Sequence, residues 1–142
     1  MFHFQLVSIS GKKFDEDVYE VVLPTLDGQI GVLQDHMPLV SVATSGAIMV
    51  RRNPKDPDSA REFFATNGGA IEVSDNTLRV LVDEADRADE ISEAEAQKAL
   101  ERAQKMKVEA KDAVSLEHAQ QLIDRSEVRL HVAGLHRRHN RR

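Results

Sequence analysis

Short apolar runs, separated by glycine, proline or aspartate, fill the first half of the chain. They lie at residues 4–9, 18–23, 30–33, 40–42, 47–50, 63–66, 71–73 and 78–82. Pro24 is expected to end the second run, and Asp27-Gly28 is a hairpin turn signal before the third. Strands at this spacing, with no helix between them, predict an antiparallel sandwich or barrel.

The pattern changes at Asp86, because residues 86–110 contain neither glycine nor proline. Ser92 and Glu95 have the spacing of a capping box, which predicts a helix that begins near residue 92. Ser115 is expected to cap a second helix. Residues that recur at three- and four-residue steps predict one buried stripe on each helix. These residues are Ala96, Ala99, Ala103, Met106 and Ala110, then Ala119, Leu122, Ile123, Ser126, Leu130 and Ala133.

We therefore predict a two-part β plus α chain. Residues 1–85 form an N-terminal antiparallel β-sandwich, and residues 86–142 form a C-terminal antiparallel α-helical hairpin with a basic tail. The strand at residues 78–82 is expected to complete the sheet, so that residues 1–84 fold alone. An alanine seam buries little surface, at roughly 0.8 kcal/mol per methyl-sized group, so the hairpin is expected to open readily.

Composition and charge narrow the function. The absence of cysteine excludes disulfides, zinc–thiolate sites and thiol nucleophiles. No apolar run is long enough for a membrane helix, and the first residues lack the pattern of a signal peptide, so we expect a soluble intracellular protein. Residues 125–142 contain six arginines and one acid, although the whole chain has a net charge of −5. A basic tail indicates an acidic partner: nucleic acid, lipid or a protein surface.

Four segments, in order, resemble the epsilon subunit of bacterial F-type proton-translocating ATP synthases. They are residues 28–39, with Gly28, Gly31, His36 and Pro38-Leu39, then 46–50, 64–73 with Gly68-Gly69, and 78–85. The resemblance implies a non-catalytic rotor subunit of the central stalk without a cofactor. It would lie at the cytoplasmic face of the cell membrane, peripheral to it through the complex. The implied partners are the gamma subunit, the ring of c subunits, and the beta and alpha subunits through the C-terminal helices.

The resemblance also implies roles for two residues near the first segment. Gln29 matches the position that approaches the c ring, and His36 would lie on the c-ring or gamma side. Each has a simpler interpretation. Gln29 is also typical of an exposed hairpin residue, and a neutral imidazole such as that of His36 readily bonds the backbone of a turn.

The resemblance further implies that the arginines of the second helix bind the catalytic head. Arg125, Arg129, Arg137 and Arg138 would reach an acidic segment of the beta subunit when the hairpin extends, and would restrain ATP hydrolysis. The alternative is that they make the tail soluble and pair within the helix, at about 0.2–0.5 kcal/mol per pair.

An ATP-sensing helical hairpin is the alternative function, because some relatives bind ATP there. Asp86, Ile91 and Ala96 match the motif of those relatives, and Arg125 and Arg129 match its arginine pair. Ser92 and Glu95 depart from that motif, which has Asp and Arg at these positions. An arginine that faces phosphate makes a charge-assisted bond worth about 1.5–3 kcal/mol, whereas a glutamate in the same place repels the phosphate.

The remaining patterns are interpreted as structural. Residues 51–59, with two prolines, are expected to form a solvated hairpin loop, longer than usual in the family. His131, His136 and His139 are poorly spaced for a metal and are surrounded by arginines. A nucleic-acid binder is disfavoured by the acidic first half and the lack of aromatic residues near the tail. An enzyme is disfavoured because we recognise no phosphate loop, nucleophile or acid/base pair.

Overall fold

The computed structural model describes the backbone of residues 1–140 and the side chains up to Arg138. The strands are β1 Phe2–Ser8, β2 Gly11–Val18, β3 Glu20–Thr25, β4 Gly28–Val32, β5 Leu39–Ala43, β6 Gly46–Arg51, β7 Glu62–Thr66, β8 Gly69–Ser74, β9 Thr77–Val82 and β10 Ala85–Arg87. The helices are α1 Glu93–Glu109 and α2 Ala113–Asn140, and short 3₁₀ turns lie at Asp58–Ala60 and Ala88–Glu90. The predicted sandwich followed by a helical hairpin is confirmed.

The strands form one sheet that folds over on itself. Their order is β10-β7-β6-β3-β5-β8-β9-β1-β2, and β4 pairs with the free side of β3. Neighbours are antiparallel except β1 and β9, which pair in parallel from His3↔Thr77 to Val7↔Leu81. A parallel pair needs a long connection, and the whole chain between the two strands supplies it. The local apolar pattern did not indicate this pairing.

Alternating residues of the strands fill the space inside the folded sheet. Phe2, Phe4 and Leu6 of β1 point inward, as do Leu78 and Val80 of β9. The ring of Phe14 lies 5.4 Å from that of Phe4 and 6.0 Å from that of Phe64, measured between centroids. These contacts make β1, β2 and β7 parts of one core.

A second apolar cluster lies on the outside of β7. Phe63 and Ala65 point away from the sandwich core and contact Val132 and Ala133 of α2. Strand β7 is therefore buried on both faces, which explains why Phe63-Phe64-Ala65 does not alternate. Helix α2 lies against β6 and β7, and α1 packs chiefly against α2.

The ends of the helices test the predicted caps. Ser92 Oγ accepts a hydrogen bond from the Glu95 backbone N–H at 3.2 Å, so the predicted cap of α1 is confirmed. The expectation for Ser115 is wrong: α2 begins at Ala113, and Asp112 Oδ1 accepts from the Ser115 backbone N–H at 2.8 Å. This bond lowers the pKa of Asp112. A carboxylate is favoured there because it also meets the positive end of the helix dipole.

Two strand boundaries differ from expectation. Pro24 does not end β3, which continues to Thr25 and pairs Pro24 with Gln29. Proline has no backbone N–H to donate, but none is needed at this position. The hydrogen-bond ladder between β3 and β6 ends at Val22, and the one between β3 and β5 begins only at Thr25. The strand at residues 78–82 does not complete the sheet, because β10 crosses the expected boundary after residue 85 and pairs with β7.

A histidine bridge joins β1 to the edge strand β2. His3 Nδ1 lies 2.7 Å from Asp17 Oδ1, and His3 Nε2 lies 2.6 Å from Asp15 Oδ1. The bonds to Asp17 and Asp15 raise the pKa of His3. The hydrogen bond between His3 and Asp15 makes the largest contribution to lowering the pKa of Asp15 to about 2, and the bond from Lys12 makes the next largest.

The bridge predicts a pH-dependent contribution to stability. A raised histidine pKa stabilises the fold fully below the unfolded value of about 6.5, and the effect is lost as pH rises through the folded value. We expect His3→Gln to lower the urea midpoint more at pH 5.5 than at pH 9. The control is His36→Gln, because Nδ1 of the His36 ring lies 2.7 Å from the carbonyl oxygen of Met37 and not beside a carboxylate. A loss for His3→Gln that is the same at both pH values would contradict the prediction.

Candidate functional site

Two arginines of α2, one turn apart, face carboxylates at the end of the sheet. Arg125 Nε donates to Glu84 Oε2 at 2.6 Å, and Arg129 Nε lies 3.8 Å from Asp86 Oδ2. Glu84 is 41 positions before Arg125, so these are pairs between α2 and the sandwich. Pairing within α2, the alternative considered from the sequence, is not what these two arginines do.

Arg129 is only partly satisfied by this arrangement. Asp86 partly balances its charge, but among the described residues the buried Nε–H has no hydrogen-bond acceptor. A buried donor without an acceptor costs about 1–3 kcal/mol, so this group is available to an additional acceptor. The structure thus brings together Asp86, Arg125 and Arg129 from the predicted nucleotide site. Ile91, the fourth residue, lies in the apolar cluster on β7.

A cavity of about 210 Å³ lies between the two helices, beside these arginines. Its lining residues are Glu95, Ala96, Ala99, Arg102, Arg125, Ser126 and Arg129. The sequence reasoning missed Arg102, although it follows Glu95 by two helical turns and so shares its face. Ligand pockets usually measure about 300–1,000 Å³, so this space is small for a nucleotide. Glu95, an acidic residue, also lines this cavity.

A larger groove of about 890 Å³ lies between the first half of α2 and the end of the sheet. Its walls include the turn after β1, the segment from Asp83 to Asp86, and residues 118–125 of α2. Asp83, Glu84, Asp86 and Asp124 line it, together with Lys13, Arg125 and His118. This excess of carboxylates opposes the binding of phosphate groups.

The end of α2 is tied to the start of α1. Arg137 Nη1 donates to both carboxylate oxygens of Glu93, at 2.7 and 2.9 Å. Arg138 is exposed. Three of the four predicted tail arginines, Arg125, Arg129 and Arg137, thus face carboxylates of this chain.

Gln29 and His36 are not neighbours. Gln29 is exposed near the start of β4, beside the Thr25–Gly28 turn, and His36 lies in the turn after the end of β4. The His36 ring bonds the Met37 carbonyl, and its backbone N–H donates to the Leu33 carbonyl. The structure therefore gives His36 the contacts of a turn residue, and the roles of both residues towards partners stay predictions.

An apolar patch lies on the outer face of β5, β8 and β9. Val40, Val42 and Leu81 are 83%, 54% and 54% exposed, and the register places Val42, Ala70 and Leu81 in one row across the three strands. We call Val40, Val42, Ala70 and Leu81 the β5–β9 patch. Sequence reasoning missed it. The signal was available, because Leu78, Val80 and Val82 point inward and leave Leu81 outside.

The histidines of α2 do not form a metal site in the part of the chain that is described. His131 is exposed, His136 is half-buried, and the side chain of His139 lies outside the described residues. The described residues contain no group of three or more His, Cys, Asp or Glu side chains arranged to hold a metal ion. Nor does any helix in residues 1–140 combine the length and apolar character needed to cross a membrane.

Comparisons with known proteins agree with this architecture. Residues 1–88 match the family model of the beta-sandwich domain of the ATP synthase Delta/Epsilon chain. This chain belongs to that family. The ATP synthase epsilon chain of Halalkalibacterium halodurans is 32% identical over 133 residues, which is 93% of this chain and 96% of that one. The epsilon chain of Chloroflexus aggregans is 32% identical over 95% of this chain and 94% of its own length.

Two solved structures share the fold. A chain of the Euglena gracilis mitochondrial ATP synthase, OSCP/F1/c-ring, has a TM-score of 0.76 and 21% identity, over 94% of this chain and 80% of that one. A chain of the Tetrahymena thermophila mitochondrial ATP synthase central stalk/c-ring has a TM-score of 0.64 and 12% identity, over 92% of this chain and 95% of that one. The helical hairpin is therefore part of the shared fold.

Glu95 predicts weak nucleotide binding in this family member. We expect calorimetry of the isolated chain to show no saturable ATP binding below millimolar concentration. Glu95→Arg should raise affinity about ten- to a hundredfold, because it replaces repulsion by a bond worth about 1.5–3 kcal/mol. Glu101→Arg, an exposed position on the same helix, makes the same charge change outside the cavity. Equal affinities for the two variants would argue against a nucleotide at this cavity.

Proposed function

We propose that this chain is a non-catalytic rotor subunit in the central stalk of an F-type ATP synthase. It couples proton flow to ATP synthesis and restrains ATP hydrolysis through its C-terminal helices. The observation that supports this most is the likeness to ATP synthase epsilon chains over more than nine-tenths of the chain. The two-part fold gives one unit for attachment to the rotor and another for regulation.

In this proposal the sandwich, residues 1–88, attaches the chain to the rotor. The β5–β9 patch is an exposed apolar surface on three adjacent strands, and it is suited to dock against the gamma subunit. The exposed β3–β4 hairpin, with Gln29, faces the c ring. The chain then lies at the cytoplasmic face of the membrane and is peripheral to it through the complex.

The patch predicts the outcome of a binding experiment. Val40→Asp together with Leu81→Asp should weaken co-elution with the gamma subunit more than tenfold, because two charges would be desolvated in an apolar interface. Val108→Asp is the control, since Val108 is 86% exposed on α1, away from the patch. Unchanged retention of the double variant would reject this face as the gamma-binding surface.

The helical hairpin is the regulatory unit in this proposal. In the folded arrangement Arg125, Arg129 and Arg137 face Glu84, Asp86 and Glu93. An extended hairpin would exchange these carboxylates for an acidic segment of the beta subunit, with Arg138 as a further contact. A partner needs only a modest preference for the extended form to shift such an equilibrium.

Hydrolysis by the assembled synthase tests this regulation. A chain ended after Ile91, which keeps β10, should raise ATP hydrolysis above that of the complex with the intact chain. Arg125→Ala with Arg129→Ala should reproduce part of the rise, and added salt should weaken the inhibition in the intact complex. Lys98→Ala with Lys105→Ala removes the same charge from the exposed side of α1 and should have no effect. Equal hydrolysis by all the complexes would falsify the regulatory role.

ATP sensing is the second candidate function. Arg102, Arg125 and Arg129 line one cavity, and the Nε–H of Arg129 lacks an acceptor among the described residues, which favours an anion. The cavity's small size and Glu95 oppose a whole nucleotide. We therefore propose regulation that does not depend on ATP bound to this subunit, and no cofactor.

A further inference from the structure

The connection between β6 and β7 is the solvent-exposed hairpin loop expected from the sequence, and hydrogen bonds also hold it in a defined conformation. Arg51 holds it from the end of β6: Nη1 donates to the Asp56 carbonyl at 2.7 Å, and Nη2 to Asp58 Oδ1 at 2.9 Å. The Arg51 side chain is only 16% exposed. Two turns complete the loop, closed by Asp56 N–H to the Asn53 carbonyl and by Ala60 N–H to the Pro57 carbonyl.

This loop reaches the C-terminal half of α2. Its Asp58–Ala60 turn packs against α2, as does the Ala88–Glu90 turn after β10. A gap of about 140 Å³ between these elements is lined by Ser59, Ala60, Asp89 and His136, among others. Val132, one turn before His136, is fully buried against the outside of β7. The two turns therefore flank the part of α2 that lies on the sheet.

We propose that residues 53–60 are a strap that holds α2 on the sandwich and sets how readily the hairpin undocks. The strap is a property of the isolated chain. Only its effect on ATP hydrolysis rests on the proposed function, because undocking would then free the arginines for the catalytic head.

The rest of the docked interface is weak enough for such contacts to matter. The apolar cluster between α2 and the sheet is small: three of its six buried residues are the alanines Ala65, Ala88 and Ala133, each of which buries little surface. The Arg125–Glu84 pair is about half exposed, and pairs of this kind contribute little to stability. The loop is already ordered by Arg51, so docking of α2 does not require it to lose much further conformational freedom.

Thiol labelling provides a direct test, because the chain has no cysteine of its own. Val132→Cys places a reporter under α2, and Val80→Cys places one in the sandwich core; both valines are fully buried. Each reporter is combined with Arg51→Gln or with residues 53–60 replaced by Asn-Gly, which leaves a short hairpin loop. We expect the thiol at position 132 to be labelled on the order of tenfold faster in both loop variants, and the thiol at position 80 at an unchanged rate.

Arg52→Gln is the matched control. Arg52 adjoins Arg51, but it binds Glu62 and Glu16 on β7 and β2 rather than the loop, so its loss should leave labelling at position 132 unchanged. Unchanged labelling at 132 in both loop variants would overturn the strap. The strap would also be overturned if labelling at position 80 rose as much as at position 132, because that indicates global unfolding. An equal rise of labelling at position 132 with Arg52→Gln would overturn it as well. If labelling responds as expected but hydrolysis by the assembled synthase does not, the strap stands and the regulatory role fails.

Discussion

The outer face of β7 is the constraint on which the arrangement of the two parts depends. Phe63 and Ala65 cannot join the sandwich core, because the alternate residue Phe64 already does. They need an apolar cover, and Val132 and Ala133 of α2 supply it. Helix α1 packs chiefly on α2, so any movement of α2 off this strand takes the whole hairpin with it. One strand thus determines both the docked position and what must separate on extension.

The ion pairs around this cover contribute little to stability. Arg125 and Glu84 are 41% and 46% exposed, and pairs at such sites are worth about 0.2–1 kcal/mol. If the hairpin extends as proposed, weak docked pairs can be exchanged for pairs with an acidic partner at little net cost. In that proposal the apolar cover of β7 and the β6–β7 loop favour the docked form.

The sequence predicts the elements whose signals are local. Strand β9 and the Ser92–Glu95 cap follow from the apolar pattern and from residue spacing, and the structure has both. Strand β2 escaped notice because it is an edge strand, and only Phe14 and Val18 of its residues are buried. No short segment of the sequence indicates the parallel pairing of β1 with β9. The candidate site is similar: Asp86, Arg125 and Arg129 were identified, but the pairing of Arg129 with Asp86 and the parts played by Glu84 and Arg102 depend on tertiary placement.

Glu95 connects the local signals to the regulation of the hairpin. Its backbone N–H completes the cap of α1, and the residue also lines the cavity shared with Arg102, Arg125 and Arg129. Three cations close together repel one another unless negative charge lies between or beside them. A bound nucleotide would supply that charge in a ligand-dependent hairpin. Here Glu84 and Asp86 supply it to Arg125 and Arg129 from within the chain, so the docked form does not need a ligand to balance these two arginines. In the proposed regulation, contacts that the chain itself encodes set the hairpin's equilibrium, chiefly the apolar cover of β7 and the loop held by Arg51.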